Sequence, residues 1–174
     1  LAFLQATAEA EAYLQGRVAA AVAGAGRVLD LYAGIGTLAA AALASGARVR
    51  AIERDPMAAA ALAAAAPRVP VEVRDLERRP PTAEELAGAD AVVLDPPRRG
   101  AEPVARALAE SGVPRVAYVS CAPVSFARDA EILAAGGYGL ARVEVVDQFR
   151  FSPALELVAL FARDRPRARR RESP

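Results

Sequence analysis

Short runs of aliphatic and β-branched residues alternate with alanine-rich stretches along most of this chain, and that alternation restricts its fold more than any other feature. The runs fall at Arg27 to Leu31, Arg48 to Ile52, Val69 to Val73, Ala91 to Leu94 and Val116 to Val119. Between them, Leu38 to Leu43, Pro56 to Ala65, Ala101 to Ala109 and Ser125 to Ala135 have helical composition. Repetition of this kind builds βαβ units, in which each helix returns the chain across the sheet so that successive strands run parallel. The end of the chain departs from the rule. Ala141 to Val146 and Leu155 to Phe161 have no helix-length segment between them, so they are predicted to pair antiparallel and close the sheet. A helix over Thr7 to Val22 precedes the first strand. The expected fold class is α/β, a mainly parallel sheet with an antiparallel C-terminal hairpin.

A chain of 174 residues is long enough for one ordinary domain, expected over residues 1–162. Residues 163–174 carry Arg163, Arg165, Arg167, Arg169, Arg170 and Arg171 among prolines and small residues, a composition that cannot build a core and predicts a disordered tail. Clustered arginines attract phosphate backbones without regard to sequence. The formal net charge of +1 points to no partner class. No apolar run reaches the roughly 20 residues of a membrane span, and nothing resembles a signal peptide. One cysteine cannot form an internal disulfide, so a reducing cytoplasm is the expected compartment.

The residue inventory limits the chemistry. Histidine is absent and Cys121 is the sole cysteine, which excludes Cys-His and Ser-His-Asp arrangements, histidine zinc sites and CxxC redox pairs. No metal is expected. Cys121 lies in Tyr118-Val119-Ser120-Cys121-Ala122-Pro123, just past the carboxyl end of a strand. That edge is where open α/β sheets bind ligands, and a thiolate is a good nucleophile.

The first strand runs into Asp30-Leu31-Tyr32-Ala33-Gly34-Ile35-Gly36-Thr37, with Glu53 closing the second strand. Glycine turn, helix and following acid match the layout shared by nicotinamide dehydrogenases and S-adenosylmethionine methyltransferases, in either of which Glu53 would hold ribose hydroxyls. Charge discriminates between them. A dinucleotide pyrophosphate requires N–H donors with no carboxylate nearby, whereas S-adenosylmethionine brings a sulfonium and an ammonium. Asp30, Asp75 and Asp95 ring the predicted crevice with acid, which favours the cationic cofactor.

The fourth strand leaves through Asp95-Pro96-Pro97-Arg98-Arg99-Gly100. Two prolines stiffen this loop and remove donors, leaving carbonyls and the Asp95 carboxylate to face the crevice. Methyltransferases acting on the adenine amino group carry an aromatic residue where Arg98 stands. A guanidinium there suits contact with phosphate or a base carbonyl instead.

In order along the chain, the Gly-rich turn, Asp95-Pro96-Pro97-Arg98, Ser120-Cys121-Ala122-Pro123 and Glu156 resemble the RNA 5-methyluridine methyltransferases, which modify uracil in tRNA and 23S rRNA. Phe3-Leu4-Gln5 is similar to the family's Phe-x-Gln segment. The resemblance implies a Rossmann-like class I methyltransferase fold, S-adenosylmethionine as cofactor and RNA as partner. It further implies that Gln5, Tyr32, Gly34, Gly36, Thr37, Glu53, Asp75 and Asp95 line the cofactor site, with Cys121 the nucleophile and Glu156 the general base. The chain departs from the family at Ala122 and Thr37, where asparagine is usual, and in Phe149 to Leu155, where histidine is usual. Two other readings are a nicotinamide-dependent oxidoreductase, which leaves Cys121 and Glu156 without a task, and a catalytically silent RNA-binding domain of methyltransferase type.

Overall fold

A computed structural model describes residues 8–146 and 156–163. Its centre is a seven-stranded sheet. The strands are β1 (Arg27–Leu31), β2 (Arg48–Glu53), β3 (Val71–Val73), β4 (Ala91–Leu94), β5 (Arg115–Ser120), β6 (Gly139–Val146) and β7 (Glu156–Ala162), in the lateral order β3-β2-β1-β4-β5-β7-β6. β1 to β5 are mutually parallel; β7 runs antiparallel to both β5 and β6. The helices are α1 (Ala8–Ala21), α2 (Thr37–Ala44), α3 (Pro56–Ala65), α4 (Ala83–Leu86), α5 (Glu102–Glu110) and α6 (Pro123–Ala135).

Strand periodicity divides the core. Alternate side chains point to opposite faces, so Val28, Val93, Ala117 and Val119 join Leu14, Val18, Leu38 and Leu62 of α1, α2 and α3 on one side. Leu29, Leu31, Val92, Leu94 and Tyr118 join Leu86, Leu108 and Leu133 of α4, α5 and α6 on the other. Both faces of the central strands are covered, which is why β4 is apolar at every position and buried throughout.

β3 begins two residues later than the sequence predicts. Pro70 has no N–H to give to a ladder, and although its carbonyl accepts from Ala51 (2.9 Å), regular pairing starts only at Val71. The short helix α4, fixed by a Thr82–Glu85 capping box, was not expected. Arg163, assigned by composition to the tail, is anchored instead. Its guanidinium donates to the carbonyls of Val113 (3.1 Å), Ala109 (3.3 Å) and Gly136 (3.0 Å) and lies 4.5 Å from the Tyr138 ring centroid. Residues 164–174, and the disorder expected for them, lie outside the described residues, as does Gln5.

The chain moves outward from β1 through β2 to β3, then returns to the other side of β1 as β4. The reversal opens a crevice at the carboxyl ends of β1 and β4, the position at which such sheets bind ligands.

Candidate functional site

A cavity of about 530 Å³ occupies this crevice, within the range typical of small-molecule sites. Tyr32, Gly34 and Thr37 line it from the turn after β1, Glu53 from the end of β2, Asp75 from the loop after β3, and Asp95 from the loop after β4. Cys121 follows β5 and Glu156 opens β7. Antiparallel direction explains Glu156: the start of β7 lies at the edge where the parallel strands end. Ser120 pairs with Leu157, so continuing the register sets Cys121 opposite Glu156 across the β5–β7 seam. Cys121 is partly exposed and Glu156 is 3% exposed, and both line the cavity.

Of the glycines expected to touch a cofactor, Gly34 does line the cavity and Gly36 does not. Gly36 has φ +96°, and a Cβ placed on it would stand 2.2 Å from Leu62 Cδ1. Its task is close packing of the turn and α2 against α3. Tyr32 carries the sole positive φ among described non-glycine residues, +63°. Its hydroxyl donates to Glu77 Oε1 (2.9 Å), and Glu77 Oε2 lies 3.5 Å from Arg99 Nε. An acid was therefore overlooked: Glu77 ties the turn after β1 to the loop after β4, and its sequence neighbourhood carries no sign of this. A backbone outlier held in this way at a cavity wall is a mark of a functional site.

The Glu53 carboxylate accepts the Gly34 N–H on Oε2 (2.8 Å) and the Asp55 N–H on Oε1 (2.7 Å). Each oxygen keeps a lone pair for a ligand hydroxyl. Asp75 Oδ1 accepts the Glu77 N–H (3.0 Å), which fixes the loop that brings Asp75 to the wall. Ile52, Ala58 and Leu76 supply an apolar wall between these polar groups. They went unnoticed in sequence because an isolated aliphatic residue beside a strand end is indistinguishable from core.

Asp30 is fully buried, lines the cavity, and neither carboxyl oxygen has a hydrogen-bond partner among the described residues. Burial, then the neighbouring Asp95 and Glu53 charges, push its pKa up to about 8; the Ala39 amide opposes this without forming a hydrogen bond of acceptable geometry. Asp95 is pushed up to about 7 by burial and by Glu156 and Glu53. Six carboxylates and four guanidiniums line the cavity. Two of the guanidiniums are already engaged, Arg74 by Glu72 and Glu85 and Arg99 by Glu77. The cavity thus presents crowded, poorly compensated acid to whatever enters, and a cationic ligand relieves it.

A pH dependence follows. An unfolded aspartate ionises at about pH 3.9, so above that pH the unfolded chain releases protons that folded Asp95 retains up to about pH 7 and folded Asp30 up to about pH 8. Stability of the ligand-free domain accordingly falls as pH rises through this window and levels off above it. Thermal midpoints are expected to decline from pH 5 to pH 8, with a shallower decline in Asp30→Asn. An Asp30→Asn slope equal to that of the wild type would remove Asp30 as the source.

The fold is of the Rossmann-like type found in S-adenosylmethionine-dependent methyltransferases. At the sequence level the chain is a homologue of RNA methyltransferases. It is 50% identical over 164 residues to an uncharacterized RNA methyltransferase of Rhizobium meliloti, covering 91% of this chain and 39% of that protein. It is 41% identical over 171 residues to the 23S rRNA (uracil(1939)-C(5))-methyltransferase RlmD of Chromohalobacter salexigens, covering 96% and 36%. A solved structure of the Pyrococcus abyssi tRNA (uracil-54, C5)-methyltransferase, in complex with S-adenosyl-L-homocysteine, superposes with a TM-score of 0.82 at 28% identity, covering 92% of this chain and 40% of that one. The chain spans about two fifths of the length of the curated relatives it matches. No family model matches it.

Proposed function

We propose that this chain is the methyl-transferring part of an S-adenosylmethionine-dependent RNA methyltransferase that acts at C5 of uridine, in 23S rRNA or tRNA. The observation that carries the reading is the juxtaposition, on one acid-ringed cavity, of the sole cysteine and the Glu156 carboxylate. The named activities of the Chromohalobacter and Pyrococcus proteins support it. So does the charge of the cavity, which disfavours the pyrophosphate of a nicotinamide cofactor.

Glu53 is suited to ribose hydroxyls, Asp75 and the apolar wall to an adenine, and the Asp30–Asp95 side to a cationic amino acid moiety. Uracil C5 is a poor nucleophile. The Cys121 thiolate adds to C6, forming a C–S bond and sending the π electrons towards O4, so that C5 gains enolate character. S-adenosylmethionine held by Glu53, Asp75 and the Asp30–Asp95 side would supply the methyl group for C5, its methyl–sulfonium bond breaking to leave the neutral thioether S-adenosylhomocysteine. Glu156 then accepts the C5 proton; the electrons of that C–H bond reform the C5–C6 double bond and expel Cys121 as thiolate. The base must leave its stack to reach the cavity, by flipping or by choice of an unpaired strand. Arg98, exposed on the cavity rim, suits a phosphate or a base carbonyl on the way in.

The test is a denaturing gel of the protein with S-adenosylmethionine and 5-fluorouridine-substituted tRNA or rRNA fragments. Fluorine at C5 cannot be removed as a proton, so a cofactor-dependent shifted band is expected. Cofactor binding with no band on any RNA, alongside salt-sensitive RNA binding, would support a silent RNA-binding domain instead.

A further inference from the structure

Helix α6 begins two residues after Cys121 and turns three side chains back onto the loop after β4. Ser125 Oγ donates to the Arg98 carbonyl (2.8 Å) and Arg128 Nη2 to the Arg99 carbonyl (2.9 Å). Asp129 Oδ2 accepts the Ala101 N–H (2.6 Å) and also the Tyr118 hydroxyl from β5 (2.6 Å), while Oδ1 pairs with Arg128 Nη2 (2.7 Å). Pro96 and Pro97 have no N–H, and the Gly100 N–H is used on the Pro97 carbonyl (2.8 Å). The Arg98 and Arg99 carbonyls and the Ala101 N–H of this loop are therefore all held by α6.

Asp129 is fully buried, a placement that costs a polar side chain free energy unless its hydrogen bonds are made. Gly100 shows how close the clamp sits. A Cβ there would stand 2.6 Å from both Arg128 Nη2 and Asp129 Oδ2, and its φ is +84°. None of these α6 residues lines the cavity, whereas Asp95, Pro96, Pro97, Arg98 and Arg99, on the loop they hold, all do.

We propose that Asp129, assisted by Arg128 and Ser125, is a positioning residue that sets the Asp95–Arg99 wall of the cavity at a fixed distance from Cys121. One carboxylate bridges the strand that Cys121 follows, the helix that comes next and the loop that faces them. Its effect on methyl transfer rests on the function proposed above; its effect on loop order does not.

The experiment compares wild type, Asp129→Ala and Asp129→Asn, the last of which keeps an acceptor for the Ala101 N–H and the Tyr118 hydroxyl. Three quantities are read: exchange of the Ala101 amide by NMR, alkylation of the sole cysteine by iodoacetamide, and kcat and KM for methyl transfer to a uridine-containing RNA. In folded Asp129→Ala, amide exchange is expected to quicken by about five- to tenfold, the equivalent of one lost hydrogen bond. Cys121 alkylation changes with it. The kcat is expected to fall on the order of 100-fold, as for a small misplacement of reacting groups, with KM for S-adenosylmethionine unchanged. Asp129→Asn recovers most of each loss.

Wild-type exchange and alkylation in a folded Asp129→Ala, or an Asn variant no better than Ala, overturns the proposal. Should Asp129→Ala not fold, Arg128→Ala, whose side chain is 42% exposed, removes the bonds to the Arg99 carbonyl and to Asp129 Oδ1 and the pairing with Glu102 while leaving the Asp129 bonds to Ala101 and Tyr118, and is expected to move exchange and alkylation in the same direction; wild-type rates in that variant also overturn it. A wild-type chain that methylates no RNA defeats the uracil reading, while the exchange and alkylation comparison still decides the role of Asp129.

Discussion

Cys121→Ala is expected to bind S-adenosylmethionine as the wild type does and to form no detectable 5-methyluridine. The two halves of this result have separate physical grounds. Groups suited to the cofactor come from β1 and the turn after it, the end of β2 and the loops after β3 and β4, whereas Cys121 enters from the end of β5, on the far side of β4 from β1. Removing a thiol there leaves the Glu53, Asp75 and Asp30 arrangement intact. Without the thiolate, C6 of uracil gains no substituent and C5 keeps the weak nucleophilicity of an unactivated ring. No other cysteine and no histidine exists in the chain to substitute. Calorimetry with S-adenosylmethionine and nucleoside analysis of treated RNA check the two parts. Appreciable 5-methyluridine from this variant would falsify the nucleophile assignment, and lost cofactor affinity would mean that Cys121 supports the cofactor side of the cavity.

Glu156→Gln is expected to fail later in the sequence. The amide keeps the size and hydrogen-bonding reach of the carboxylate but cannot take a proton, so addition of Cys121 and methylation of C5 proceed and release stalls. A methylated protein–RNA adduct should accumulate on ordinary uridine RNA, visible on a denaturing gel without fluorine. Turnover should fall by about 10² to 10⁴, the usual contribution of a general base. The position of Glu156 makes the expectation specific, because a residue 3% exposed, opposite Cys121 across the β5–β7 seam, leaves little room for bulk water to act instead. Normal turnover by Glu156→Gln would require another base. Loss of the adduct as well would place Glu156 before the addition step.

The contrast between these variants also explains which parts of the site could be read in advance. Tyr32, Gly34, Thr37, Glu53, Asp75, Asp95 and Cys121 each close a strand or follow one, and in a parallel sheet every such position reaches the same edge. Glu156 breaks that pattern, since it stands at the start of its strand. Only the reversed direction of β7, inserted between β5 and β6, carries it to the edge where the others end. Gly36 shows the opposite case: a glycine of the turn that is required by Leu62 and not by the cavity. Glu77 and Asp129 had no local signature at all, being two acids among 21.

Element type and order follow from local periodicity. Alternating aliphatic runs and alanine-rich stretches specify strands and helices because side-chain spacing alone determines which face each can bury. The residue inventory likewise determined the available chemistry, since a chain with one thiol and no imidazole has few ways to activate a base. Lateral strand order, the direction of β7, the buried and unpaired state of Asp30 and the α6 clamp on the Asp95 loop belong to the tertiary structure. Each depends on groups far apart in sequence meeting in a low-dielectric interior. There the cost of a buried charge and the geometry of a hydrogen bond are set by neighbours, not by the residue itself.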